Sequence, residues 1–173
     1  MSISINRVTN ANVYLEGASL LGRAEEVNLP NLDAKMVEHK ALGMVGTADF
    51  FAGFNKLEAS IKWNALYQDV LQQVNNPFRA MAIQVRASIE SYDPAAGRTA
   101  EVPAIIYLRG TFKNFPTGIF KQHDNVEVSS MMSVNYMKME INGQAVVEFD
   151  VLANIYKANG EDLLAQYRTN LGA

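Results

Sequence analysis

The dominant hydrophobic period along the chain is two. Leu57, Ala59, Ile61, Trp63 and Ala65 alternate with Glu58, Ser60, Lys62 and Asn64. Met81, Ile83, Val85, Ala87 and Ile89 alternate in the same way with Ala82, Gln84, Arg86, Ser88 and Glu90. Each run reads as a strand with one buried and one wet face. Val102 to Phe112 is a more apolar strand, and the connector before it, SYDPAAGRTAE, holds Pro94 and Gly97 and predicts a turn or exposed loop. The strongest local signal runs from Asn125 to Tyr156. There VEVSSMMSVNYMKMEI meets AVVEFDVLANIY across Asn142-Gly143, the preferred pair for a type I′ turn. This predicts a long hairpin over 126–156 with arms of twelve or more residues. The apolar set changes parity near Tyr136, from Val128, Met132 and Val134 to Met137, Met139 and Ile141. Such a change predicts a bulge, or a strand that leaves one sheet and enters another.

Two segments have helical spacing. LYQDVLQQVNN puts Leu66, Tyr67, Val70, Leu71 and Val74 on one stripe, and Pro77 stops it. GEDLLAQYRTNLG predicts a C-terminal helix over 160–171, with acids in its first turn, Arg168 in its last, and Leu163, Leu164, Tyr167 and Leu171 on one side. Residues 40–56 fit neither period. Gly43, Gly46 and Gly53 predict a flexible loop, yet Leu42, Met44, Phe50, Phe51 and Phe54 lie in it. A free surface loop does not ordinarily carry three phenylalanines. Either the segment folds back as a core hairpin or it lies on another subunit. Glycines make a poor core strand, which favours the interface and makes those five apolar residues its candidate anchors.

Composition narrows the classes. The 173 residues predict one domain, and a hydrophobic fraction of 49% predicts a globular one. Charged residues number 15 basic and 18 acidic, against about 43 in total for an average chain of this length. The deficit hints at surface covered by something other than water. A net charge of −3 and the absence of adjacent basic residues argue against a dedicated nucleic-acid or anionic-membrane binder. There is no cysteine, so disulfides, thiolate metal sites and a Cys nucleophile are excluded. No signal-like or membrane-spanning run is present, which predicts a chain made and kept soluble in a cytosol.

Nothing in the sequence assembles into chemistry. His39 and His123 are far apart, and Glu38-His39 and His123-Asp124 are neighbours in sequence only. Gly43-Met44-Val45-Gly46 lacks the Lys-Ser/Thr of a phosphate-binding loop, and Ser19 in GASLLG is not a nucleophile elbow. Met131, Met132, Met137 and Met139 read as core filling. The chain is expected to be no enzyme and to need no cofactor or metal.

Several pieces together, however, have a familiar order. GRAEEVNLPNLDAKMVEHKALGM, then KLEASIKW, then YMKMEINGQAVVEFDVLANIYKANGEDLLAQYRTNLG resemble the major tail tube protein family of contractile-tailed phages and R-type pyocins. The resemblance covers nearly the whole chain; EHKALGM and YMKMEING are its most specific stretches, and FFAGFN departs from it in aromatic richness. The fold it implies is mainly β: an antiparallel β-barrel or sandwich, one short central helix, a C-terminal helix, and long hairpins that pair with neighbouring subunits. It implies a single tail-tube domain over 1–173, with 40–56 an inter-subunit loop. It also implies six-membered rings stacked into the inner tube of a virion tail, assembled in a bacterial cytoplasm. The implied partners are further copies of the chain, a sheath protein outside, a tape-measure protein and passing DNA inside, and baseplate and tail-terminator proteins at the ends, with no membrane insertion. The same family resembles the tube of type VI secretion systems, so a DNA-free tailocin or secretion tube is the alternative. A monomeric β-sandwich that binds a carbohydrate or other ligand is a competing class, and a small β-barrel enzyme a third.

Within a tube, the apolar parity of each strand must face the outer part of the protomer and the polar parity the channel. The expected lumen-facing residues are therefore Glu58, Lys62, Arg86, Glu90, Glu127, Glu148 and Asp150. Five acids and two bases predict an acidic, hydroxyl-studded wall that repels phosphate; the alternative is an ordinary solvated face on the tube's outside, since parity orients a face without saying which side is inside.

Overall fold

Alternation becomes ladder pairing almost everywhere it was strong. In the computed structural model, which describes residues 4–123 and 126–172, all strand pairs are antiparallel and two sheets form. Strand β1 (Ile5–Leu15) turns through Glu16-Gly17 into the short β2 (Ala18–Ser19), and β3 (Ala24–Asn28) follows. Among the described residues, strands β4 (Ala34–His39) and β5 (Ala48–Phe54) pair only with each other. Next come β6 (Leu57–Trp63), helix α1 (Gln68–Val74), β7 (Ala80–Asp93), β8 (Gly97–Phe112) and β9 (Val128–Ile141). Strands β10 (Gln144–Asp150), β11 (Ile155–Ala158) and β12 (Glu161–Asp162), then helix α2 (Ala165–Leu171), complete the chain.

The large sheet runs β12-β11-β10-β9-β8-β7-β1-β2, with β6 and β3 branching from β9. Strand β9 creates the branch. Its first half, Val128 to Val134, pairs with β6, whereas Tyr136 to Ile141 pairs with β10. Between them Asn135 is skipped in the register with β8, where Arg109 faces Tyr136 and Gly110 faces Val134. This is the expected parity change: Val134 and Met137 are both buried across the extra residue. A glycine is required opposite it, because a Cβ on residue 110 would lie 1.9 Å from the Ser133 carbonyl oxygen.

Because β6 and β3 branch away, the sheet folds over itself in a sandwich-like arrangement rather than closing into a barrel. Leu57, Ile61 and Trp63 from β6 share one core with Leu15, Met81, Ile83, Leu108, Phe112 and Met132. Each such side chain contributes roughly 1.5–3 kcal/mol by burial. Helix α1 closes the core with Val70 and Val74, while Leu66, expected on its stripe, is exposed and precedes it. Ser130 is the one polar residue buried in this set among the described residues, and its hydroxyl accepts the Trp63 Nε1–H at 2.9 Å. An inward serine there satisfies an indole donor that the core would otherwise strand.

Four expectations need correction. The hairpin over 126–156 has a first arm of 14 residues but a second of only 7. Asp150 ends that arm: its Oδ1 accepts the Leu152 and Ala153 N–H groups at 2.9 and 3.0 Å, and the chain returns as β11. The long hairpin is instead β7–β8, whose arms have 14 and 16 residues. The expected connector is mostly strand, since Asp93 Oδ1 accepts the Ala95 and Ala96 N–H groups and compresses the turn. The C-terminal helix begins at Ala165, not 160, because Glu161 and Asp162 pair with Ala158 and Lys157. Finally, 40–56 is not wholly a loop: Ala48–Phe54 is a strand paired with Ala34–His39. Asn125, where the strongest pattern began, and Asp124 beside His123 lie outside the described residues.

Candidate assembly surfaces

The β4–β5 hairpin stands off the large sheet and carries apolar side chains on both faces. Register places Met36 opposite Phe51 and Glu38 opposite Asp49 on one face, Val37 opposite Phe50 and His39 opposite Ala48 on the other. Met36, Val37, Phe50 and Phe51 are each about half exposed, and the His39 ring meets Phe50 edge-on at 5.6 Å. At the tip, Leu42 and Val45 are fully exposed and Met44 partly so. Phe54 separates from this set: it packs edge-on against Phe149 at 4.8 Å and Tyr156 at 4.9 Å, at the margin of the protomer's own core. Of the five anchors expected from the sequence, four are thus on the hairpin's surface and Phe54 is its root.

A second surface is the face of the large sheet turned away from the core. Cross-strand register gathers six of the seven residues expected in a lumen onto this one face. Glu58 and Lys62 lie opposite Ser133 and Ser129, Arg86 and Glu90 opposite Asn12 and Arg7, and Glu148 and Asp150 opposite Lys138 and Tyr136. Glu127 lies apart, on an isolated bridge to Ile119, where it pairs with Lys121 at 2.9 Å. The expected acidity does not survive the full register. Along the strands this face carries the carboxylates of Glu26, Glu58, Glu90, Glu101, Glu140, Glu148, Asp150 and Asp162 and the cations of Arg7, Lys62, Arg86, Arg98, Arg109, Lys138 and Lys157. Acids and bases nearly balance. Tyr107, Tyr136 and the bases of β8, β9 and β11 were outside the two clean alternations, so the sequence count missed them.

Most of these charges are satisfied by neighbours within the chain. Lys113 and Lys56 both reach Glu58 Oε1, at 2.6 and 2.8 Å. The hydrogen bond from Lys113, then that from Lys56, lowers the Glu58 carboxyl to about 2. Glu90 accepts from the Tyr92 hydroxyl at 2.6 Å and from Arg98 at 2.9 Å, which hold its carboxyl below the usual range, the tyrosine contributing most. Lys138 pairs with Glu140 at 2.7 Å and Lys157 with Glu148 at 3.2 Å. Arg86 and Arg109 lie over the rings of Tyr14 and Tyr136. Asp150 spends one oxygen on its own turn, as described above.

Helix α2 supplies a surface that the sequence presented as packing. None of its residues is buried, and Leu163 just before it, with Tyr167 and Leu171, is half exposed or more. Its position is fixed instead by Arg168, which binds both Asp162 oxygens and the Asn154 carbonyl. Phe78, Phe115 and Phe120 are also exposed, and no period marked them. Among the described residues, no cluster of three or more His, Asp or Glu side chains could hold a metal ion, and no helix is long and apolar enough to cross a membrane.

An uncovered apolar hairpin and a nearly balanced polar sheet suit a surface that other protein covers. Comparison with known proteins agrees. The chain is 29% identical over 163 residues to the tail tube protein of Escherichia phage P2, covering 93% of this chain and 94% of that one. It is 24% identical over 153 residues to the major tail tube protein of Serratia phage KSP20, covering 87% and 86%. The family described as phage tail tube protein FII matches residues 5–172, nearly the whole chain, and the protein belongs to that family.

Proposed function

We propose that this chain is the repeating subunit of the inner tube of a contractile phage tail, with six copies closing each ring and rings stacking into a conduit for DNA. The observation that carries the reading is a pair of long unpaired strand segments on either side of the β7–β8 hairpin. Beyond Tyr14 and Leu15, β1 has a partner only on its β7 side among the described residues, so Ile5–Asn12 is an open edge. On the opposite side, β8 pairs with β9 from Ala104 onward and the Pro103 carbonyl accepts the Asn142 N–H, leaving residues 97–102 open on that side. A long open edge is an aggregation hazard in a monomer, and ring closure removes it. The hairpin residues Leu42, Met44, Phe50 and Phe51 then lie against neighbouring copies, and Phe54 anchors the hairpin to its own protomer.

In this reading the polar sheet face lines the channel, with Glu58, Lys62, Arg86, Glu90, Glu148 and Asp150 on it and Glu127 at its margin. Cations engaged by carboxylates on the same strands are poorly placed to release counterions from DNA, so the polymer slides rather than binds. The sheath packs outside, the tape-measure protein inside, and baseplate and terminator proteins at the ends; assembly takes place in the host cytoplasm. The names of both relatives specify phages, which favours DNA delivery over a DNA-free tailocin or secretion tube.

Negative-stain microscopy and light scattering of the purified chain test the assembly, with six-membered rings or tubes expected. A strictly monomeric profile at every concentration, with the partner proteins present, overturns it and favours a ligand-binding module. The face assignment has its own test. Glu90→Lys with Glu148→Lys is expected to leave tubes that assemble but eject DNA slowly, most of all at low salt. Ejection at the normal rate removes the face from the lumen.

A further inference from the structure

A groove of ≈ 570 Å³ opens at the foot of the β4–β5 hairpin, between β5, the start of β6, the bulge of β9, the end of β10 and α2. Phe51, Phe54, Phe149, Val151, Leu164 and Tyr167 give it apolar walls. At the opposite end of the same hairpin, Leu42 and Val45 are as exposed as in an isolated extended peptide, at 105% and 111%. Gly43 and Gly46 flank Met44-Val45 and keep that tip narrow. One chain therefore carries both an apolar knob and an apolar socket. The seven residues of β5 hold them roughly 20 Å apart. While β4 and β5 stay paired, no copy can seat its tip in its own groove, but a second copy can.

Charge specifies the same occupant. Glu38 and Asp49 face each other directly across the hairpin, just below the tip. Like charges in that position are destabilising, and among the described residues neither has an ion-pair partner. The groove's rim carries Lys56, whose side chain is 80% exposed and shares Glu58 with the shorter contact from Lys113. Lys56 can leave without stranding that carboxylate.

We propose that the β4–β5 tip of one copy seats Leu42 and Val45 in the Phe51–Phe149–Tyr167 groove of the next, with Lys56 of the groove meeting Glu38 and Asp49 of the incoming hairpin. The contact is head to tail, so each copy uses its tip once and its groove once, and the pairing propagates. It rests on the self-assembly proposed above and adds the receptor site that the loop residues alone do not name.

The absence of cysteine makes the test clean. In the full chain, Val45→Cys combined with Tyr167→Cys, assembled and treated with a short bis-maleimide, is expected to convert most of the protein into a denaturant-resistant ladder of dimers and larger multimers. Each single variant stops at background. Assembly visible by microscopy without a ladder overturns the tip-in-groove contact while leaving the tube reading intact; no assembly of the unmodified chain overturns both. A charge exchange gives a second readout. Asp49→Lys relieves the repulsion within the hairpin, so the protomer is expected to melt no lower than the parent, yet to assemble about tenfold more slowly. Adding Lys56→Glu is expected to restore the rate. Failure of that rescue, with both variants folded, also overturns the contact.

Discussion

The β7–β8 and β4–β5 hairpins are built from similar residue types and end in opposite situations. The first has β1 on one side and β9 on the other, and its apolar positions Met81, Ile83, Ile106 and Leu108 all enter the core. The second has no strand neighbour among the described residues and leaves Met36, Val37, Phe50 and Phe51 half exposed on two faces. Alternation says which face a strand buries only where a second layer exists to bury it. A hairpin apolar on both faces, with no layer on either, is the kind of surface that the proposed assembly would cover with another chain.

The sharpest way to break this contrast is at the glycines. Gly110→Ala places a Cβ against the Ser133 backbone oxygen, where nothing can yield. Urea unfolding is expected to show a loss of about 4 kcal/mol or more. Gly53→Ala meets open space, but at a φ of +117°, so strain alone should cost about 1–3 kcal/mol. If Gly53→Ala proves as damaging as Gly110→Ala, the small hairpin is part of the cooperative core and the contrast fails. Ser130→Ala removes the acceptor for the Trp63 indole and is expected to cost about 1–3 kcal/mol with no change in assembly.

Acid should act on the large sheet first. The Glu58 carboxyl lies near 2 in the folded chain, below its ordinary 4.5. Its contribution is therefore complete above the ordinary value and is lost as pH falls from about 4.5 towards 2. Melting temperatures recorded across that range should decline, and Glu58→Gln should flatten the decline. An unchanged slope in that variant would assign the acid sensitivity to Glu90, Asp69 or Asp162, whose carboxyls are also lowered. The smallest effect on the protomer is expected from Phe51→Asp: within about 0.5 kcal/mol, as for a surface position, with assembly abolished. Loss of folding instead would make Phe51 core.

The parts of the fold legible in the sequence were those where local pattern and tertiary layer agree. Leu57 to Trp63 alternates perfectly and is perfectly alternately buried. The parity change near Tyr136 is real because a bulge must shift every later side chain to the other face. Where side-chain hydrogen bonds to the backbone decide, pattern misleads. Asp93 shortens what reads as a loop, and Asp150 breaks what reads as one strand. The polar face was legible as a face but not as a charge balance, since the cations missed in the sequence lie outside the two clean alternations, on β1, β8, β9 and β11. The apolar groove was invisible, because Phe54, Phe149 and Tyr167 become neighbours only when three separate elements meet.

The branch at β9 also sets a timetable for synthesis. Strand β6 pairs with β3 as soon as both leave the ribosome, but its other edge needs residues 128–134. At 5–20 residues per second that wait lasts roughly 3–15 seconds. During it, Leu57, Ile61 and Trp63 have no far wall, and β7–β8, whose contacts are nearly local, forms beside them first. Each newly made chain thus passes through a half-sheet with an unpaired edge until the β6–β9 register closes it, although the β4–β5 hairpin, which pairs with itself, is already complete. The apolar groove is completed later still, because two of its walls, Phe149 and Tyr167, follow β9 in the chain.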